Sequence, residues 1–297
     1  MTSGGITKQM TMFALPLILT NIGQQLYMIV DAAIVGRGVG VKALASVGSA
    51  DWIYWLVLWT ACAFTNAFST FIARSFGAKD FEKLNRTLAM SVILSAVLGI
   101  MLTFVGLLAS RPVLELLKTP ADIIDGAEVY LITMISGTMI VVAYNLAAAI
   151  LRAFGDAKSP MIAMAISAIL NVGLDLLFVL VFDWGIFGAA FASLISQLVS
   201  FFYCYFCIKK IECINVEKAV WKPDAKIIRE LTMFAIPISI ETIVISLGGI
   251  ILQATINAQG SNFVAGYTAV NKLYGLLECT AISLGVAFLT FFAQNYG

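Results

Sequence analysis

The sequence predicts an all-α integral membrane protein built from two parallel-repeat helix bundles, with about eight transmembrane helices present. Three observations predict it. Apolar residues make up 61% of the chain and charged residues 12%, against roughly 45–50% and 25% in a soluble domain. Long stretches such as those between Arg86 and Arg111, and between Asp183 and Lys209, contain no charge at all. The chain also repeats itself, motifs of its first third returning in its last third.

A helix needs about 20 mainly apolar residues to cross the hydrocarbon core of a bilayer. Stretches of that length fall at 10–35, 44–73, 87–108, 127–151, 160–182, 186–208, 231–257 and 264–294. The first sits where a signal peptide would, but it is too long, contains Pro16 and Asp31, and lacks a basic start followed by a small-residue cleavage site. It is expected to stay in the mature protein. Lys and Arg in alternate connections number 13 on the side of the N-terminus, from Lys8 to Arg229, and 4 on the other: Arg37, Lys42, Arg111 and Lys118. Loop Lys and Arg set orientation, so the N-terminus is expected in the cytoplasm and the chain in the cell membrane. The net charge of +1 carries no information about partners.

The repeat is direct. TMFALP at 11–16 returns as TMFAIP at 232–237, and FSTFIARSFG at 68–77 returns as FLTFFAQNYG at 288–297. An even number of helices separates the copies, so the two bundles share one orientation, as in transporters whose halves are related by an axis along the membrane normal. The organisation read from this is a six-helix bundle over 1–208, a basic cytoplasmic linker over 209–230, and the first two helices of an incomplete second bundle over 231–297. On that reading the sequence is a fragment, and it is not expected to transport by itself.

Several function classes are disfavoured. There is no histidine, the commonest catalytic base and metal ligand. No phosphate-cradling glycine loop, G-x-S-x-G elbow or zinc-ligand spacing occurs. Cys204 and Cys207 lie in an apolar span beside aromatic residues and read as packing. Glycines such as Gly36, Gly38, Gly185 and Gly188 read as close packing or turns. No enzyme activity, cofactor, nucleic-acid partner or obligatory protein partner is expected.

Ionisable residues inside apolar spans cost about 2.5–3.5 kcal/mol at a helix centre and usually face a cavity or an ion pathway. Asp31 follows Tyr27 and Gln24 by one and two helical turns, which aligns the three on one face. Asn171 and Asp175 are stacked in the same way, and Ser193 lies in the next span. Two carboxylates with amide and hydroxyl oxygens suit a proton or a hard cation such as sodium. Glu241, Glu278 and Lys272 leave two readings open: a second ion site, or a Lys272 to Glu278 contact.

With these residues in view, the chain resembles the multidrug and toxic compound extrusion (MATE) family along its whole length. The resemblance is carried by Met12 to Pro16, Asp31 with Val35 and Gly36, the ARSFG run ending at Gly77, the LRAFGD run ending at Asp156, Asn171 with Asp175, and Gly188 to Gln197. It implies the family's twelve-helix fold of two bundles that alternate in access, and export of organic, often cationic, compounds coupled to Na+ or H+. It further implies a cation site at Asp31, Asn171, Asp175 and Ser193, where the family often has threonine at the last position. Gln24, Tyr27, Tyr130 and Asn145 match positions that line the family's substrate cavity. The alternative is a lipid-linked precursor flippase of a related family, which would favour a strongly cationic cavity.

Overall fold

The computed structural model describes residues 6–214 and 218–296, and nine α-helices account for nearly all of them. They are α1 (Ile6–Gly38), α2 (Val41–Gly77), α3 (Phe81–Leu116), α4 (Ile124–Ser136), α5 (Thr138–Ala153), α6 (Lys158–Asp175), α7 (Gly185–Ile208), α8 (Ala225–Asn257) and α9 (Ser261–Tyr296). Residues 215–217 of the expected linker and Gly297 of the second repeat lie outside the described residues.

Six of the helical spans are long and apolar enough to cross a membrane, and a seventh is reached if α4 and α5 count as one. The expected span at 127–151 is broken: α4 and α5 meet at a 50° bend, with Gly137 between them. A side chain at Gly137 would overlap Leu194, so glycine lets the bend seat against α7. The eighth expected span corresponds to α9, whose shorter apolar stretch is Ala281–Ala293. Val97, Ile100, Met101, Phe104, Val105 and Leu108 project from α3 with more than half their surface exposed. That helical spacing makes an apolar stripe too large for a water-facing surface and suited to lipid. The chain is a multi-pass membrane protein.

Successive spans run in opposite directions, so one end of the bundle gathers the start of α1 with the basic turns at Lys79, Lys158 and Lys209; we call it the basic end. Helices there begin on aspartate caps. Asp80 Oδ1 accepts from the amide of Lys83 at 3.0 Å, Asp156 Oδ1 from Lys158 and Ser159 at 3.0 and 2.9 Å, and Asp224 Oδ1 from Lys226 at 2.9 Å. Each carboxylate satisfies free N–H groups and opposes the positive end of the helix dipole. The LRAFGD run is therefore a connector: α5 ends, Gly155 takes φ +85°, and Asp156 starts α6.

At the far end the two repeats turn alike. Gly40 joins α1 to α2 with φ +125°, and Gly260 joins α8 to α9 with φ +90°. Asp122, in the α3 to α4 connection, pairs with Lys42 at 3.1 Å. That ammonium, with the hydroxyl of Ser261, holds the Asp122 carboxyl below the ordinary carboxylate range.

The core that positions the site joins α2, α4 and α7 through Val47, Tyr54, Leu131, Ile135 and Leu194. Across the repeats, α8 packs along α2, while α9 lies against both α1 and α2. Near the basic end Phe68 and Met90 meet Leu231 and Ala235, and Phe13 and Leu17 meet Ala287. Towards the far end Ser49 Oγ donates to Asn257 Oδ1 at 3.3 Å, and Asn257 Nδ2 donates to the carbonyl of Leu117 at 3.2 Å.

Two outcomes follow from this packing. Asp156→Ala removes a cap serving two amides and should lower stability by about 1 kcal/mol, measured as a fall in the melting temperature of the detergent-solubilised protein. Gly48→Val places a side chain into Thr268 of α9 and should cost about 1–3 kcal/mol through overpacking, where Gly23→Val, which meets open space, should cost less.

Candidate functional site

A polar layer crosses the far half of the bundle. Asp175 lies less than two turns before Val181, where its helical run ends at the far end of the bundle. Asp31 lies two turns before the end of α1, and Ser193 two turns after the start of α7. Asp51 and Lys272 each lie about three turns into their helices, α2 and α9. At a rise of about 1.5 Å per residue these groups sit roughly 9–17 Å from the far ends of their helices, within the long apolar helical runs.

The structure brings the four expected cation ligands together. Asp31 on α1 meets Asp175 on α6, carboxyl against carboxyl. Asn171, one turn before Asp175, donates from Nδ2 to Ser193 Oγ of α7 at 3.3 Å. Asp175 is fully buried and Asn171 nearly so. Immediately after Asp175 the chain leaves α-geometry for a π-helical run, Leu176–Val181. Such wide turns are frequent at functional sites because they re-aim side chains.

The decisive feature is a set of acceptors without donors. Asp31 Oδ1, Asn171 Oδ1 and both carboxylate oxygens of Asp175 are buried and meet no hydrogen-bond donor among the described residues. A buried acceptor left unmet costs about 1–3 kcal/mol, and more if charged. A shared proton, or a small cation bound through oxygen, removes that penalty for all of them at once. The donor set is entirely oxygen, which suits a hard ion. Among the described residues no three of His, Cys, Asp or Glu gather to hold a metal ion, so the acids of this site number two.

The expected substrate contacts divide. Tyr27 lies beside Asp31 and within electrostatic reach of Tyr54, Asp175 and Tyr144. Tyr130 is buried in the same region, close to Asp51, Asp31 and Tyr54. Asn145 is not in this layer. It belongs to a second one toward the basic end, accepting from the Cys62 thiol at 3.2 Å and donating to the Val141 carbonyl at 2.8 Å. Arg152 donates to Asn66 there at 3.3 Å. The Gln24 side chain lies outside the described residues, although its backbone belongs to α1.

Sequence reasoning missed Asp51, and with it the partner of Lys272. The ammonium of Lys272 bonds to Asp51 Oδ2 at 2.7 Å, with both side chains less than a tenth exposed. This replaces the contact considered between Lys272 and Glu278, whose spacing of more than a turn and a half puts them on different faces of α9, and Glu278 is exposed. The available signal was two lone, opposite charges at matching depth in helices that correspond between the repeats.

Comparison with known proteins agrees with this architecture. The MatE family model matches residues 16–177. The probable multidrug resistance protein YpnP of Bacillus subtilis is 30% identical over 100% of this chain and 66% of its own length. The probable multidrug resistance protein NorM of Thermotoga maritima is 27% identical over 98% of this chain and 64% of its own. The chain thus spans slightly less than two thirds of these relatives. Among solved structures, a MOP superfamily transporter from Pyrococcus furiosus superposes with a TM-score of 0.88 at 26% identity, covering 99% of this chain and 65% of that one. A MATE structure in the bent conformation superposes with a TM-score of 0.85 at 25% identity, covering 99% and 66%. The family match covers more than half of the sequence, and the superposed structures share its all-helical architecture: the chain belongs to the multidrug and toxic compound extrusion (MATE) family.

Proposed function

We propose that the chain serves cation-coupled export of organic, often cationic, compounds across the cytoplasmic membrane, with Na+ or H+ as the coupling ion. The observation that carries this reading is the convergence, beside Ser193 and at a junction of three helices, of oxygens from Asp31, Asn171 and Asp175 that meet no donor among the described residues. A site that needs a positive charge in order to be satisfied is built to bind and release one.

Coupling follows from competition. Tyr27 and Tyr130 offer aromatic faces next to the acids, so an organic substrate there shares its wall with the ion site. Both Pro16 in α1 and Pro237 in α8 lie inside the helix, removing a backbone hydrogen bond and making each helix easier to bend. Ion entry at Asp31 would draw α1 toward α6 and displace the substrate. One charge moving inward through 100 mV supplies about 2.3 kcal/mol. That sustains roughly a fifty-fold gradient of a neutral substrate. A monovalent cation exchanged one for one gains nothing from the voltage, and its export draws on the ion's concentration gradient.

The basic end faces the cytoplasm on this reading, since it holds most of the loop Lys and Arg. With native cysteines replaced, Lys79→Cys should resist a membrane-impermeant maleimide in intact cells, and Lys118→Cys should react. The reverse pattern would invert the orientation.

The transport reading is tested by ethidium efflux from energised cells that express the protein with a complete second bundle, at matched membrane abundance. Asp31→Asn and Asp175→Asn should each reduce efflux at least ten-fold, because each removes a charge that the ion requires. Efflux retained in both variants would move coupling away from this site.

A further inference from the structure

The pair formed by Asp51 and Lys272 is not used by the coupling site, yet it is the most deeply buried ion pair among the described residues. It also joins the two repeats, from α2 to α9. Its surroundings are unusual for a structural ion pair. Trp52, Trp55 and Trp59 run up α2 at helical spacing, with ring centroids 5.1 Å apart for Trp52 and Trp55 and 5.5 Å apart, stacked, for Trp55 and Trp59. All three indoles are only partly buried. The ammonium of Lys272 stands over the Trp55 ring at 5.5 Å while bonding to Asp51.

A carboxylate with adjoining aromatic faces is the arrangement that recognises organic ammonium ions: the acid balances the charge and the ring quadrupoles attract the cation. Lys272 already occupies that arrangement from within the protein. We propose that Asp51, Trp55 and Trp59 form a second cation site, in the seam between the repeats, for an organic ammonium or phosphonium ion, and that the Lys272 ammonium is its resident competitor.

Displaced from Asp51, Lys272 needs another carboxylate, because a buried ammonium without a partner is costly. Asp31 is near enough for its charge and that of Lys272 to act on each other. An organic cation at Asp51 therefore moves the lysine toward Asp31, where it opposes any cation held with Asp175. One tethered ammonium would make the two sites mutually exclusive, linking substrate arrival to ion departure. The inference rests on the export reading but concerns a different set of residues.

The test is equilibrium binding of tetraphenylphosphonium to the purified chain in lipid nanodiscs, followed by tryptophan quenching and by radioligand. Lys272→Met, which removes the competitor, should bind at least ten-fold more tightly than the parent. Asp51→Asn with Lys272→Met, a neutral pair free of orphaned charge, should lose that gain. Trp55→Phe with Trp59→Phe should lose most of the quenching. If Lys272→Met does not fold, Lys272→Gln takes its place, with a monodisperse elution profile as the criterion.

Equal affinity in the parent and the lysine variant would overturn the proposal, as would undiminished affinity in the neutral pair. If the neutral pair leaves binding unchanged while Asp31→Asn with Asp175→Asn abolishes it, the export reading stands and the second site falls. If Lys272→Met gains affinity but ethidium efflux survives both single aspartate substitutions, the second site stands and the coupling assignment falls.

Discussion

The constraint on which this structure turns is the cost of keeping charge in a medium that cannot solvate it. Three carboxylates and one ammonium lie in one layer of the bundle. One carboxylate is met by the ammonium at 2.7 Å. The other two face each other, with acceptor oxygens that no donor among the described residues reaches. Among those residues the layer supplies one ammonium for three carboxyl groups, and a proton or another positive charge would offset the imbalance. A fully paired set would be a stable core element with no reason to bind anything.

The remainder of the fold holds this imbalance in place. Helices α2, α4 and α7 form a tightly packed wall around Tyr54, Leu131 and Ile135. The Gly137 bend brings α4 and α5 against α7, and the π-helical run after Asp175 sets how that helix leaves the layer. Aspartate caps at the basic end fix where α3, α6 and α8 begin. The second repeat then contributes Lys272 from α9 to an acid on α2 of the first. The seam between repeats is thus part of the electrostatics of the layer as well as a packing surface.

Much of this was legible in the sequence. The all-helical, membrane-length architecture followed from apolar run length, because a bilayer fixes how many residues a spanning helix needs and forbids any unpaired backbone within it, although the eight expected spans became six, or seven with α4 and α5 taken together. The parallel repeat followed from recurring motifs separated by an even number of helices. Asp31, Asn171 and Asp175 stood out because an ionisable or amide side chain in an apolar helix has few explanations, and one-turn spacing places two of them on one face. Asp51 was equally conspicuous by that criterion, but no acid or amide lies one turn away on its own helix to make a face. Its meaning depended on a partner in the other repeat, far along the chain.

What the sequence by itself determined is therefore the class, the direction of the helices and the local stacking of polar residues, all of which depend on run length and on the helical period. Only the tertiary structure decided which charges meet. It set Lys272 against Asp51 and not Glu278, joined Asp31 to Asp175 across two helices, and put Asn145 in a different layer from Tyr27 and Tyr130. The reason is physical. Periodicity reports the face of a helix, whereas charge pairing in a low-dielectric interior depends on distances of a few ångströms between helices, and those are set by packing at residues such as Gly48, Gly137 and Gly249, whose missing side chains permit close approach.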